Sequence, residues 1–316
     1  MLTNNLLKTI PALILSGLLL SGCTAHQQDA LLARVTDMGR DKAGLQLHST
    51  RTVDIDMTYL ERQGQGPVVM MIHGFSANKD TWLRFADYLP EDYRLIAPDL
   101  AGHGDSGTAG SYDLEKQADR LHALAEKLGL PGFHIVGNSM GGAISVIYAS
   151  KYPEQIKSLT LIDAAGLDGA DKSEYFQMLD QGVNPLIATD KASFEVRMDM
   201  VMEKPPMLPW PLRPALIRQT VARADLNKEI FADMIATRER MSEAEFGEQI
   251  DANVEMPVLI MWGEKDRVLD VSAVETFRRY LPQAEVKIFE GIGHVPMLEI
   301  PQESAGTLTG FISRLD

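Results

Sequence analysis

Five stretches of the chain are apolar almost without interruption: 67–74 (PVVMMIHG), 93–99 (YRLIAPD), 133–137 (FHIVG), 158–166 (SLTLIDAAG) and 257–263 (PVLIMWG). Runs this short have the length of strands, and their lack of polar alternation predicts strands buried on both faces. Between them the period changes to that of a helix, over 79–88, 113–128, 142–151 and 272–280, the last opened by Ser272 and Glu275 at the spacing of a capping box. Strands alternating with helices predict an α/β fold: parallel crossover units in a mostly parallel, doubly wound sheet, with a site at the carboxyl ends of the strands. Val53, Ile55, Met57 and Tyr59 alternate with polar residues, the pattern of a half-exposed edge strand. Ahead of them, 25–44 is polar with Leu31, Leu32, Val35 and Met38 at helical spacing, so 23–50 reads as a tether or short amphipathic helix leading into the domain.

The N-terminus has a different composition. Lys8 precedes an apolar run from Ile10 to Leu20, too short for a bilayer core that needs about twenty residues, so 1–22 reads as a secretory signal. The run closes on Leu20-Ser21-Gly22-Cys23, which resembles the bacterial lipobox. That resemblance implies cleavage before Cys23 and acyl chains on it, giving an exported lipoprotein whose membrane contact comes from its lipid. Thr24, where an Asp would retain such a protein at the inner membrane, implies the outer membrane in the same way. The other reading is an ordinary signal cut beside a free thiol. Cys23 is the one cysteine of the chain, which excludes intrachain disulfides and leaves stability to the core.

The full chain carries 30 basic against 44 acidic side chains. Without 1–22 it loses only Lys8, leaving 29 against 44, or −15. That surface excludes nucleic acid as a natural partner and gives no attraction to anionic headgroups, which makes a lipid anchor more necessary for membrane contact.

The chemistry centres on Gly137-Asn138-Ser139-Met140-Gly141, placed where a buried strand stops and a helix begins. Gly-x-Ser-x-Gly in that context is a nucleophile elbow, which exposes the serine hydroxyl above the sheet and aims the Met140 amide at a developing oxyanion. A serine hydroxyl needs a base and an orienting acid. The strand ending at Gly263 leads into Glu264-Lys265-Asp266, and the last strand, VKIFEG, leads into Gly293-His294. Both are strand ends on the same edge as Ser139, and the order Ser139, Asp266, His294 is that of the α/β-hydrolases. Asp163, Glu264 and Asp270 are competing acids. His48, His103 and His122 are scattered without metal-ligand spacing, so neither metal nor cofactor is expected.

His73-Gly74-Phe75-Ser76 follows the first buried strand, and with it the chain resembles the α/β-hydrolase family. The resemblance implies that the Phe75 amide is the second oxyanion donor, and that His73 braces the loop. It also assigns bracing to His103 and Asp105, in the turn from Asp99 to Ser106. The strand pattern lapses after Gly166 and resumes near Met256, where the family inserts a helical cap. The domains are thus 51–166 and 256–316 for the core and 167–255 for the cap. The cap holds Tyr175, Phe176, Met178, Leu179, Met198, Met200, Val201 and Met202, then a Pro-rich run containing Met207 and Trp210. Much of this set is the cap's own core, but adaptable methionines with Trp210 also suit an apolar acyl groove.

Within the family, His73 to Trp82, Gly137 to Gly142 and Asp266 to Ser272 resemble the monoacylglycerol-lipase branch and bacterial true lipases. The expected activity is cleavage of carboxylic esters, acylglycerols foremost, through an acyl-enzyme on Ser139. Short-chain carboxylesters are the alternative substrate. Ring-fission carbon–carbon hydrolases share the Gly-Asn-Ser-Met-Gly-Gly elbow but differ in the loop after His73 and in having Trp, not Val295, after the base. A lipid-binding lipoprotein without catalysis is the reading from another class.

Overall fold

The uninterrupted apolar runs become the inner strands of one eight-stranded sheet in the computed structural model, which describes residues 23–315. The expected signal segment 1–22 lies outside them. The strands are β1 (Gln46–Arg51), β2 (Asp56–Arg62), β3 (Val68–Ile72), β4 (Arg94–Pro98), β5 (Phe133–Asn138), β6 (Ile156–Ile162), β7 (Val258–Gly263) and β8 (Glu285–Phe289), in the order β1-β2-β4-β3-β5-β6-β7-β8. β1 with β2 and β2 with β4 are antiparallel; the other neighbours run parallel.

The inner strands are predominantly apolar because both faces of the sheet are covered. Met70 and Ile72 of β3 enter one core layer with Leu121 and Leu124 of α3 (Leu114–Lys127), Ile144 and Ile147 of α4 (Met140–Lys151) and Phe277 of α10 (Ala273–Tyr280). Val69 and Met71 enter the opposite layer with Trp82, Phe85 of α2 (Leu83–Ala86) and Leu308 of α12 (Pro301–Ile312). Each large side chain so removed from water contributes roughly 1.5–3 kcal/mol. α11 (Pro296–Glu299) closes the second layer beside α12.

Between β6 and β7 lie five helices: α5 (Glu174–Asp180), α6 (Lys191–Val201), α7 (Leu212–Val221), α8 (Ala224–Arg240) and α9 (Glu243–Asn253). They sit over the carboxyl ends of the strands, with Tyr175, Met200, Ile230 and Phe246 packed into the first core layer.

Three local expectations change and one is made definite. The strand read from alternation is β2, and it is not an edge: five consecutive residues, Met57–Glu61, are buried because β1 pairs along its outer side. The alternation arose partly from Val53, which lies outside the strand and is 68% exposed. The segment 23–50, expected as a tether or short amphipathic helix, is a helix built into the fold, α1 (Ala25–Lys42), followed by most of β1. α1 opens on a Thr24–Gln27 capping box and is held by Arg218 of α7, which donates to Gln28 Oε1 (2.9 Å) and the Ala25 carbonyl (3.0 Å). Its apolar positions Leu31, Val35 and Met38 stay exposed. The Ser272–Glu275 capping box does not form, because Ser272 already has helical dihedrals and its hydroxyl accepts from the Asp171 amide (3.1 Å). Trp210 and Met207 face outward, 45% and 92% exposed, and line no acyl groove. Among the described residues no helix is long and apolar enough to cross a membrane.

Candidate active site

β5 ends at Asn138 and α4 begins at Met140, so the chain must reverse at Ser139, which takes φ 56° and ψ −123°. A non-glycine residue held there costs on the order of 1–3 kcal/mol, and the surroundings must impose it. They do so through the backbone. Ser139 N–H donates to the Ile162 carbonyl (3.0 Å), while the Ser139 carbonyl accepts from Gly142 (2.8 Å) and Ala165 (3.0 Å). The flanking glycines are required by contact rather than dihedral. A Cβ on Gly137 would lie 2.2 Å from the Gly141 carbonyl oxygen, and one on Gly141 would lie 2.3 Å from that of Ile72.

The loops after β7 and β8 bring the acid and the imidazole together. His294 Nδ1 donates to Asp266 Oδ2 at 2.7 Å, with both residues about 95% buried. Asp266 Oδ1 accepts from the amides of Val268 (2.8 Å) and Leu269 (2.9 Å), which fixes the carboxylate. Asn138, whose side chain had no assigned role in the sequence, donates to the carbonyls of Ile162 (3.1 Å) and His294 (3.2 Å) and so ties the imidazole loop to the elbow. Of the competing acids, Glu264 accepts from the Gly291 amide and Asp270 from the Ser272 amide, and neither reaches His294.

Asp163 is different. It stands at the end of β6 with φ 45°, fully buried, and its Oδ1 accepts from the Gly263 amide (2.8 Å) while Oδ2 has no hydrogen bond. Burial, reinforced by the nearby Asp266 charge, pushes its pKa well above the ordinary carboxylate value. Asp163, Asp266 and His294 bring ligand-type atoms within 4.8 Å of one another. Asp163 Oδ1, Asp266 Oδ1 and the Asp266 Oδ2–His294 Nδ1 pair are already engaged in hydrogen bonds, which account for the cluster.

The loop after β3 approaches Ser139 closely: a Cβ on Gly74 would sit 3.1 Å from Ser139 Cβ. His73 braces this loop, its Nδ1 donating to the Gly74 carbonyl (2.8 Å) and its Nε2 accepting from the Leu100 amide (3.1 Å). The His103 ring lies tilted against it, centroids 4.9 Å apart. Lys79, 1% exposed, joins Asp99 (2.7 Å) and Asp105 (2.6 Å) beneath the same loop. The cap clamps its tip: Arg197 of α6 donates to the Ser76 carbonyl and Asn227 of α8 to the Ser76 hydroxyl, both at 2.9 Å.

Two cavities meet at Ser139. One, about 110 Å³, is apolar and lined by Phe75, Met140, Ile147, Leu179, Phe231 and Met234 among others; its charged residues, Asp168 and Arg238, pair with each other. The second, about 760 Å³, contains Ser139 and His294 together with Arg197, Val201 and Met202. Tyr175, Phe176 and Leu179 thus line the apolar cavity, as do Phe231, Met234, Ile235 and Arg238 of α8, which the sequence reading passed over. Their spacing of three, four and seven residues marked one helix face. Phe75 and Met140, whose amides are the candidate oxyanion donors, both border this cavity beside Ser139. Cys23 lies apart from the site, partly exposed at the start of α1, its carbonyl accepting from Gln28 (3.3 Å).

Known proteins are similar to this chain. Lipase 1 of Psychrobacter immobilis is 35% identical over 98% of this chain and 99% of its own length. A monoacylglycerol lipase of Xenopus laevis is 34% identical over 80% of this chain and 77% of its own. A crystal structure described as a membrane phospholipase A superposes with a TM-score of 0.87 and 40% identity, covering 96% of this chain and 97% of that one. A family model described as the alpha/beta hydrolase fold matches residues 67–301. On the sheet order, the elbow and that match, the chain belongs to the alpha/beta hydrolase fold family.

Proposed function

We propose that this protein is a serine hydrolase that cleaves acylglycerol esters through an acyl-enzyme on Ser139. The observation that carries the reading is the position of Ser139 between an apolar cavity and an open cleft that also holds an Asp266-bound His294. The acyl chain enters the apolar space and the carbonyl carbon stops at Ser139. His294, its tautomer set by the bond from Nδ1 to Asp266, presents Nε2 as the base. It removes the hydroxyl proton as Oγ attacks, and returns that proton to the alcohol oxygen as the ester C–O bond breaks. Water then attacks the acyl-enzyme by the same route and releases the fatty acid. The amides of Phe75 and Met140 stabilise the oxyanion, each worth about 3 kcal/mol of barrier. The relatives named as lipases and a monoacylglycerol lipase support lipid esters as the substrate class.

The test is Ser139→Ala against a panel of monoacyl, diacyl and triacyl glycerides beside simple esters of rising chain length. Folded variant without turnover, and a fluorophosphonate adduct on Ser139 in the native protein, are the expected results. Turnover that survives the substitution ends the proposal, and a preference for the shortest esters makes the protein a carboxylesterase.

The same reading places the protein at the outer membrane through acylated Cys23. The lipobox-like Leu20 to Cys23 and the position of Cys23 ahead of α1 support it. Cys23→Ala should release the protein from membranes and abolish incorporation of labelled palmitate. Membrane retention in that variant would instead assign the anchor to 1–22.

A further inference from the structure

We infer that Glu299 is a positioning residue for the base: its carboxylate clasps the loop that carries His294 to the end of a cap helix, so that the imidazole is in place only while the cap is seated. The inference rests on the ester-hydrolase reading above and adds to it a residue that lines neither cavity at Ser139.

The main chain of the base is held from three sides. The His294 carbonyl accepts from the Asn138 side chain (3.2 Å), which ties it to the elbow. The His294 amide donates to the Val201 carbonyl (3.0 Å). Val201 is the last residue of α6, and its carbonyl is one of those that a helix leaves without an internal partner. The base itself therefore caps the cap helix. The third hold is Glu299, at the end of α11, whose Oε1 accepts from the Gly293 amide (3.0 Å) just ahead of the base. Its other oxygen turns to the cap. Oε2 accepts from the amides of Glu203 (3.0 Å) and Lys204 (2.6 Å), in the segment that leaves α6. The fit is close: a Cβ on Gly293 would lie 3.0 Å from the Glu203 nitrogen and from Glu299 Oε1, and 3.1 Å from the Val201 oxygen.

The chemistry of the clasp needs a carboxylate. Three N–H donors from two segments far apart in sequence converge on two oxygens, and only a group that accepts at both ends serves them all. An amide side chain would turn its NH₂ toward one set of donors. Burial pushes the Glu299 pKa up, and the amides of Lys204, Gly293 and Glu203 pull against it. A half-buried carboxylate held by amides alone is a weak source of stability, but it fixes the register of the two segments it joins. That register matters for turnover. His294 has to reach the Ser139 hydroxyl and then the leaving oxygen, and a displacement of about 1 Å in such a group costs about 100-fold in rate.

The experiment measures kcat and KM for 1-palmitoylglycerol, the rate of Ser139 labelling by a fluorophosphonate, and amide hydrogen exchange in the wild type, Glu299→Ala and Glu299→Gln. In Glu299→Ala kcat should fall about 100-fold while KM stays within about threefold. Labelling should slow by a similar factor, because the probe depends on the base and makes few of the substrate's contacts with the cap. Glu299→Gln, which keeps one end of the clasp, should fall at least about tenfold less. Exchange at 290–295 and at 202–205 should quicken together in Glu299→Ala. Wild-type kcat and labelling in the folded variant overturn the inference. A rise in KM alone also overturns it, by making Glu299 a support of the cap, and so does faster exchange in one segment without the other. Should Glu299→Ala not fold, Glu299→Gln decides: kcat lowered at least about threefold at unchanged KM is expected, and a wild-type kcat overturns the inference. Should neither fold, the wild type decides. In urea below the unfolding transition the amides of Gly293, Glu203 and Lys204 should open as one unit together with loss of activity, and independent opening overturns the inference. A wild type that cleaves no ester and leaves Ser139 unlabelled rejects the function on which the inference rests.

Discussion

Acid should destabilise this protein through a histidine that takes no part in the proposed chemistry. His73 is fully buried, and its ring is used as one donor and one acceptor, Nδ1–H to the Gly74 carbonyl and Nε2 from the Leu100 amide. A second proton on Nε2 would confront the Leu100 N–H. Burial is the main cause that pushes the pKa down to about 4 from its ordinary 6.5, and the Lys79 ammonium adds to it. His103, tilted against it and also fully buried, is lowered to about 3, by burial first and by His73 next. The sign follows from linkage. Between pH 6.5 and 4 the unfolded chain holds a proton on this histidine and the folded chain does not, so stability falls as pH falls. At about 1.4 kcal/mol per pH unit, His73 contributes about 3 kcal/mol, fully present above pH 6.5 and lost as pH falls through about 4. The assay is urea unfolding at half-unit steps from pH 7.5 to 4, in the wild type and in His73→Gln. The amide of Gln keeps one donor and one acceptor without titrating. The variant should show a dependence of unfolding free energy on pH shallower by up to about one proton between pH 6.5 and 4, with m unchanged. Parallel curves for the two proteins would refute the reasoning, because His73 would then bind its proton equally in both states.

Three further outcomes follow from the site and its supports. Asp266→Asn should lower kcat by about 10⁴ by presenting the wrong imidazole tautomer, whereas Asp163→Asn, at a carboxyl whose pKa burial raises and which makes no bond to His294, should stay within about tenfold; ester hydrolysis with the opposite ranking makes Asp163 the working acid. Gly141→Ala sets a Cβ 2.3 Å from the Ile72 carbonyl oxygen and should cost at least about 3 kcal/mol in urea unfolding, with activity lost. Lys79→Met leaves buried Asp99 without its cation and should cost about 3–5 kcal/mol; a loss below 1 kcal/mol by the same measurement would contradict the ion-cluster account.

The inner sheet was legible in the sequence because a strand covered on both faces is predominantly apolar, and β3 to β7 meet that condition locally. The candidate site was legible for a related reason. Each of Ser139, Asp266 and His294 sits just past a strand end, and parallel strands carry their ends to one rim whatever lies between. What the chain could not disclose depends on partners distant in sequence. β1, Gln46–Arg51, has a polar composition and becomes a strand only because β2 offers it an unpaired edge. Asp163 and Asp266 are both aspartates at strand ends. Only the solvent exclusion around Asp163 raises the pKa of one, and only the two amides on Asp266 fix the other beside the imidazole. Arg197 reads as a surface charge on a cap helix until folding sets it above Ser76 with no acid beside it. Periodicity and turn chemistry are encoded residue by residue, so the sequence determined the sheet and the three candidate residues. Charge state and cavity shape are sums over neighbours brought from everywhere, and those the tertiary structure alone decided.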